Sequence, residues 1–291
     1  TDPFPDGRCF ATLTPLPACW SPRKGTKAEW LRPGMGMLFL YGGRKYRAQE
    51  LRRRGDSAQG RYRPFPTAPC EELWSYTPAM ARWQDLSEYT KGKSPGYRSR
   101  HSAATLLAPS GSQLFIYGGL DFQNNPVDEL RVLDLETLVW SAPRVQGVPP
   151  PVGLGAACLT DLRRDFIVTK DKVTNPESKM ERRSGVPAGM MGVWRLRLAK
   201  QAAMGDDGGG GGEAAEGLRA TKWLAKWSRA PRRLPPHGAG HTITTVGQSQ
   251  VIVGGLGAKG PGDIVTLSLG SVAHVGSLPK HHHDEEDEDE E

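Results

Sequence analysis

Two histidines, His101 and His241, occupy matching places in this 291-residue chain, and histidine is the side chain best suited to acid–base or metal chemistry near neutral pH. His101 lies in RHSAATL and His241 in GHTITTV, each directly before an apolar run. Neither belongs to a Ser/His/Asp order, a phosphate-binding glycine loop or a metal-ligand motif. Because both recur at one place in a repeated pattern, we expect a structural role. The sequence therefore predicts no catalytic, cofactor-binding or metal-binding residue.

Basic residues cluster in RKYRAQELRRRGDSAQGRYR. Positions 44 to 63 carry eight Lys or Arg residues against two acids, with Tyr46 and Tyr62 between them. This composition could bind phosphates, could form the rim of a protein-binding site, or could belong to a solvated loop without either role. We expect the protein-binding rim. Its candidate residues are Arg44, Lys45, Arg47, Arg52, Arg53, Arg54, Arg61 and Arg63.

Charge is distributed unevenly along the chain. The formal charge is +6 even though the last eight residues are all acidic, so the remainder is strongly basic. Such a balance could attract nucleic acid or an acidic partner, but no nucleic-acid-binding motif accompanies it. Imidazole and carboxylate groups in KHHHDEEDEDEE could hold a divalent metal, but a tail lacks the rigid geometry of a site. We expect residues 280–291 to form a disordered His/acidic tail.

The four cysteines, Cys9, Cys19, Cys70 and Cys158, show no zinc-binding spacing and are too sparse for a disulfide framework, although one bridge remains open. No apolar run is long enough for a membrane-spanning helix. No signal-peptide pattern follows Thr1. We therefore expect no membrane association, and the cytoplasm or nucleus is favoured.

The elements that must position these residues are short apolar strands that stop at paired glycines. MLFLY is followed by Gly42 and Gly43, QLFIY by Gly118 and Gly119, and QVIV by Gly254 and Gly255. Such runs are typical of buried strands. Glycine accepts positive φ and lets another backbone approach closely, so each pair predicts a forced turn at a strand end.

The glycine pairs belong to a longer repeat. Its starts are RCFATLT from Arg8, RHSAATL from Arg100, GAACLTD from Gly155 and GHTITTV from Gly240. A second strand pattern follows in each unit: ELWSY, ELRVLDL, GVWRLRL and DIVTLSL. A tryptophan then appears in three units, as Trp83, Trp140 and Trp227, and we expect it to pack between sheets rather than stack on a ligand.

The Arg100-His101 start, Gly118-Gly119, the run DELRVLDLETLVW and Trp140 together resemble the kelch repeat. The resemblance implies an all-β fold, a kelch-type β-propeller of four-stranded blades. Four units are recognisable, the third of them degenerate. They fill residues 1–279, at about 5–94, 95–148, 149–234 and 235–279, with inserted loops near 18–36, 44–71, 171–191 and 199–222.

The four recognisable units allow three interpretations of the number of blades in the propeller. Propellers contain about four to eight blades, and kelch propellers usually more than four. Either further blades lie outside this chain, or one blade is hidden in a degenerate stretch, or the ring has four blades. The first two are preferred, so the propeller is expected to be incomplete.

The resemblance implies a protein–protein interaction scaffold or adaptor that binds a partner through its propeller loops. Nothing in the sequence identifies that partner. One alternative is a galactose-oxidase-like copper enzyme, which would need Tyr, His and Cys to converge near the axis. Another is binding of nucleic acid or an anionic ligand through the basic loop 44–63. Both are less favoured, so no cofactor is expected and an enzyme is the less favoured class.

Overall fold

A computed structural model describes most of the first half of the chain and separate strands of the second. The described residues are 3–18, 34–46, 67–108, 111–150, 155–160, 165–170, 191–200, 223–234, 241–246, 249–253, 263–268 and 272–277. Regular structure in these ranges is nearly all β, with only two short 3-10 helices, Pro78–Met80 and Ser87–Tyr89. The expectation of an all-β fold is confirmed for them.

The strands form four antiparallel meanders in chain order and one small extra sheet. Sheet 1 contains β2 (Thr12–Leu16), β3 (Met37–Tyr41), β6 (Leu73–Thr77) and β7 (Arg82–Asp85). Sheet 2 contains β9 (Ser102–Ala108), β10 (Gly111–Tyr117), β11 (Leu130–Asp134) and β12 (Val139–Ser141). Sheet 3 contains β14 (Gly155–Thr160), β15 (Asp165–Lys170), β16 (Met191–Lys200) and β17 (Trp223–Leu234). Sheet 4 contains β18 (Thr242–Val246), β19 (Ser249–Val253), β20 (Asp263–Ser268) and β21 (Val272–Ser277). The small sheet contains β1 (Arg8–Cys9), β4 (Arg44–Tyr46) and β5 (Thr67–Pro69).

Sheets 2 and 3 differ from the four-stranded expectation because each gains a fifth strand. β8 (Lys91–Gly92) pairs in parallel with β12, and β13 (Arg144–Gln146) pairs in parallel with β17. Each of these strands precedes the first strand of the sheet that it joins. The chain therefore covers the outer edge of a meander before entering it, which satisfies edge groups that would otherwise be open to another chain.

The sheets stack in chain order through their first strands. β2 lies beside β9, β9 beside β14, and β14 beside β18. One buried apolar cluster joins sheets 1 and 2, and a second joins sheets 2 and 3. Stacking is needed because one sheet cannot bury both of its faces by itself. The described residues form an arc of sheets, and no closed ring is shown among them.

Strand pairing corrects the alignment of the first repeat by two residues. Thr12 pairs with Tyr41 in sheet 1, and Ser102 pairs with Tyr117 in sheet 2. The register therefore makes Phe10, rather than Arg8, the counterpart of Arg100. The sequence alone matches Arg8 to Arg100 because both are arginines, whereas the true counterpart, Phe10, has an unrelated side chain.

Candidate partner-binding surface

Two glycine pairs mark the end of sheets 1 and 2 that we call the glycine end. Gly42 and Gly43 follow β3, Gly118 and Gly119 follow β10, and all four have positive φ. A Cβ on Gly119 would lie only 2.6 Å from the carbonyl oxygen of Ser99. A larger residue would meet both backbone strain and a backbone clash at this point.

The backbone that passes so close is the crossing segment, residues 97–100, which leads from β8 to β9. Gly43 donates its N–H to the Arg98 carbonyl at 2.8 Å, and Leu120 donates its N–H to the Ser99 carbonyl at 2.8 Å. The segment is thus held by main-chain hydrogen bonds from both sheets. It is a rigid element, although it belongs to no strand.

The two middle side chains of the crossing segment face the interior, and the two outer ones face the surface. Arg98 and Ser99 are buried, whereas Tyr97 and Arg100 are exposed. Tyr97 packs edge to face against Phe122, with 5.5 Å between ring centroids. The Arg100 guanidinium lies 4.0 Å above the centroid of the Phe10 ring. Phe122 is 62% and Phe10 47% exposed, so both pairs are presented to solvent.

Phe10 and Arg100 also share an uncommon backbone conformation. Their φ angles are 58° and 56°, in the left-handed region that residues with a side chain rarely adopt. Arg100 donates its N–H to the Phe10 carbonyl at 2.9 Å, so the two residues are locked to each other. Such strain costs about 1–3 kcal/mol per residue and is concentrated at functional sites. This pair is therefore the centre of the candidate surface.

The root of the basic insertion, residues 44–71, is anchored at the glycine end by Glu72. This carboxylate accepts hydrogen bonds from Arg8 Nη2 at 2.8 Å, from Trp74 Nε1 at 3.0 Å and from Lys45 Nζ. Lys45 also pairs with Asp6 at 3.1 Å. Burial alone would raise the pKa of Glu72, but these donors, Lys45 foremost, hold it below its usual range. The charge of Lys45 at this root is therefore neutralised within the protein, by Glu72 and Asp6.

The same root contacts the loop that follows β10. Arg44 Nη1 donates to Asn124 Oδ1 at 2.9 Å. Nearby, Arg8 Nη1 donates to the Gly42 carbonyl at 3.3 Å, and the Cys70 thiol donates to that carbonyl at 3.0 Å. The root of the insertion thus lies beside the loop that carries Phe122 and is fixed to both sheets.

His101 lies beneath this surface and is buried between the sheets. Its Nε2 shares a hydrogen bond of 2.7 Å with Thr12 Oγ1, and its ring packs edge to face against Tyr41 at 5.5 Å. Desolvation, helped by the positive charge of Arg98, lowers the pKa of His101 to about 3. At neutral pH it is an uncharged packing residue in this structure.

The tyrosine that packs against His101 also has a structural partner. Tyr41 donates its hydroxyl to the Gly96 carbonyl at 2.9 Å, and burial raises the pKa of that hydroxyl. Within the described ranges, no group of three or more His, Cys, Asp or Glu side chains is placed to hold a metal ion. No helix in the described part of the chain is long and apolar enough to cross a membrane.

Only part of the residue set predicted from the sequence falls in the described ranges. Of the basic candidates, Arg44 and Lys45 lie at the root in β4. Outside the described residues are Arg47, Arg52, Arg53, Arg54, Arg61, Arg63, Gly254, Gly255 and the tail 280–291.

The three repeat tryptophans differ in their packing. Trp140 packs against Tyr41 of sheet 1 at 5.7 Å, and Trp227 packs against Tyr117 of sheet 2 at 4.9 Å. Trp83 instead contacts Tyr76 of its own sheet at 4.8 Å and is only half-buried. Two of the three therefore fill a gap between neighbouring sheets.

Sequence reasoning missed the exposed pairs and a second set of glycines. Gly92 and Gly147 have positive φ, and each lies against the carbonyl of a repeat tryptophan, Trp140 and Trp227 respectively. The available signal was a glycine ten residues before β9 and another eight residues before β14. For Tyr97 and Phe122 no such signal exists, because their contact joins two loops of different sequence.

Comparison with known proteins gives limited similarity. No family model matches the chain. A segment of 61 residues is 36% identical to the Rab9 effector protein with kelch motifs of Mus musculus. That match covers 20% of this chain and only 15% of the mouse protein.

One solved structure, that of YjhT, is similar to this chain, and the match covers 84% of this chain and 68% of the YjhT chain. The sequence identity is 14% and the TM-score is 0.47.

Proposed function

We propose that this chain is a kelch-type scaffold that binds a protein partner at the glycine end of sheets 1 and 2. The observation that carries the proposal is the rigid crossing segment, which presents Tyr97 and Arg100 against Phe122 and Phe10. Aromatic and arginine side chains dominate the binding energy of protein interfaces. The short similarity to a kelch-motif effector protein supports the same class.

Anchoring of the basic insertion supports a binding role for this end. Its root is tied to sheet 1 through Glu72 and to the loop after β10 through Asn124. Loops that a rigid scaffold positions are the usual carriers of binding function. The basic residues that follow the root would then line the rim of the interface and accelerate association at low salt.

The test is capture of partners by three forms of the chain: wild type, Phe122→Ser and Tyr89→Ser. Tyr89 is the matched control, since it is 61% exposed and lies in the 3-10 helix that follows the outer strand β7, two strands away from β3 in sheet 1. We expect a protein that wild type and Tyr89→Ser retain and Phe122→Ser loses, with direct binding then measured on the purified pair. Equal capture by all three forms would refute the proposed surface.

A second test addresses the insertion. Changing Arg52, Arg53 and Arg54 together to Ala should slow association with the captured protein at low salt and leave its dissociation rate almost unchanged. RNA binding that disappears in this variant, without any captured protein, would instead support the nucleic-acid alternative.

A further inference from the structure

We propose that Arg100 is a recognition residue for a carboxylate in an extended acidic peptide segment of the partner. This proposal rests on the proposed function and specifies the chemistry of the same surface. It follows from three features of Arg100: its exposure, its unpaired charge and its fixed orientation.

Arg100 carries a charge that the described protein does not neutralise. It is exposed, and no described carboxylate forms an ion pair with it. In contrast, Arg8 pairs with Glu72 at 2.8 Å, and Arg131 pairs with Glu129 at 3.3 Å. Arg100 therefore stands out among the arginines of this end as a guanidinium directed to solvent.

Two acidic groups near the glycine end, Asp121 and Glu129, are already occupied. Asp121 Oδ1 accepts the backbone N–H groups of Gln123 and Asn125, each at 2.8 Å. Glu129 accepts from both Arg98 and Arg131, at 3.4 and 3.3 Å. These carboxylates would lose existing hydrogen bonds if they moved to Arg100. A carboxylate from outside the fold would meet no such competition.

The orientation of Arg100 suits a carboxylate. The Phe10 ring holds the Arg100 side chain through a cation–π contact, with 4.0 Å between Cζ and the ring centroid, and leaves the guanidinium N–H groups as donors for a ligand. A planar guanidinium can bind a carboxylate through two parallel hydrogen bonds. The hydrogen bond from the Arg100 N–H to the Phe10 carbonyl and the ring contact hold this geometry before any partner arrives, which reduces the entropy lost on binding.

The neighbouring aromatic pair favours a peptide over RNA. Bases of single-stranded RNA need an open ring face on which to stack. Tyr97 and Phe122 meet edge to face with an interplanar angle of 63°, so their rings do not offer parallel faces to successive stacked bases and instead form an irregular apolar surface. Such a surface suits an apolar side chain next to the acidic residue of a peptide.

The experiment measures the fluorescence anisotropy of three labelled probes with the full chain. The probes are the peptide Glu-Glu-Phe-Glu-Glu, its counterpart with Gln in place of Glu, and an oligouridylate. Wild type should bind the acidic peptide, with an affinity that falls as salt rises, and should bind the Gln peptide much more weakly.

Four variants assign the binding. Arg100→Ala and Arg100→Gly should each weaken the acidic peptide by about fivefold. Glycine accepts positive φ, so Arg100→Gly removes both the guanidinium and the backbone strain, whereas Arg100→Ala removes only the guanidinium. Equal losses of affinity in the two variants therefore assign the binding to the guanidinium. Arg100→Lys should give a smaller loss, because it keeps the charge without the planar fork. Arg144→Ala is the matched control, because Arg144 lies on the exposed strand β13 at the edge of sheet 3, and this variant should bind like wild type.

Several results would overturn the acidic-peptide proposal. These are equal loss in Arg144→Ala, equal binding of the Gln peptide, no binding of the acidic peptide by wild type, or tighter binding of the oligouridylate that depends on Arg100. The scaffold proposal is judged separately. A captured partner that Phe122→Ser loses and Arg100→Ala retains would leave the scaffold standing and remove the role of Arg100. Conversely, Arg100-dependent peptide binding with no difference among the capture variants would remove the proposed scaffold surface alone.

Discussion

β3 of sheet 1 and β10 of sheet 2 contain almost the same residues, LFLY and LFIY, but they have different surroundings. Every residue of β10 is buried. Along β3, buried and half-buried residues alternate: Phe39 and Tyr41 are buried, and Leu38 and Leu40 are not fully covered. The difference therefore cannot come from the strand sequences.

Neighbouring sheets explain the contrast. Leu114 and Ile116 of β10 pack in the cluster shared with sheet 1, and Phe115 and Tyr117 pack in the cluster shared with sheet 3. Leu38, on the opposite face of sheet 1 from Phe39, belongs to neither of the two buried clusters. The burial of a strand in a stack of sheets thus depends on the place of its sheet in the stack. Strands of nearly the same sequence are covered on both faces in an inner sheet and on one face in an end sheet.

The largest expected effect compares two repeat tryptophans. Trp140→Ala should lower the free energy of unfolding by about 3–5 kcal/mol, since Trp140 fills the gap between sheets 1 and 2. Trp83→Ala should cost roughly 1–2 kcal/mol, because Trp83 is half-buried against its own sheet. Denaturant unfolding of both variants measures the difference. Equal losses would show that the free face of sheet 1 is covered in solution.

Leucines at equivalent positions sharpen the comparison within the strands. Leu114→Ala should cost about 2–5 kcal/mol, as for other fully buried leucines. Leu38→Ala removes the same atoms from a half-buried position, and we expect about 1 kcal/mol. The two chevron or equilibrium unfolding curves should separate clearly. If Leu38→Ala is the more damaging change, the assignment of the outer face is wrong.

Sheets 1 and 2 also differ at the position of His101, whose counterpart in sheet 1 is Ala11. The pH dependence of the unfolding free energy tests the role of His101. The pKa of His101 is lowered from 6.5 to about 3, so the unfolded chain binds a proton that the folded chain rejects. Its contribution to stability is present above pH 6.5 and is lost as the pH falls. At pH 5 the loss should approach about 2 kcal/mol.

The control for this titration is His101→Gln, which keeps a hydrogen-bonding group and cannot titrate. The difference in unfolding free energy between wild type and variant should change between pH 7.5 and pH 5. A constant difference over that interval would mean that His101 can take up a proton in the folded state.

The smallest expected effect concerns the loops of sheet 2, which are exposed although its strands are not. Phe122→Ser should change the unfolding free energy by less than about 0.5 kcal/mol, as is usual for surface sites. Thermal melting checks this directly. A large loss would show that the Tyr97–Phe122 contact stabilises the fold, and partner loss in this variant would then need a second substitution to interpret.

The strands and their order could be predicted from the sequence because apolar runs ending in paired glycines are local signals. Gly118 and Gly119 are recognisable because they directly follow an apolar run; both have positive φ, and the crossing segment passes close to Gly119. The register of the first unit was not predictable, since Phe10 and Arg100 share a backbone conformation without sharing a side chain. The fifth strands also escaped prediction, because two or three residues carry too little pattern.

The sequence by itself determined that this chain is all-β in its described part, that its strands come in successive groups, and that a basic insertion interrupts the first group. Those properties depend on local composition and periodicity. Only the tertiary structure decided which strand faces are buried, that the root of the insertion meets the loop after β10, and that Arg100 lies on Phe10. Each of these depends on residues far apart in the chain, which come together only when the sheets stack.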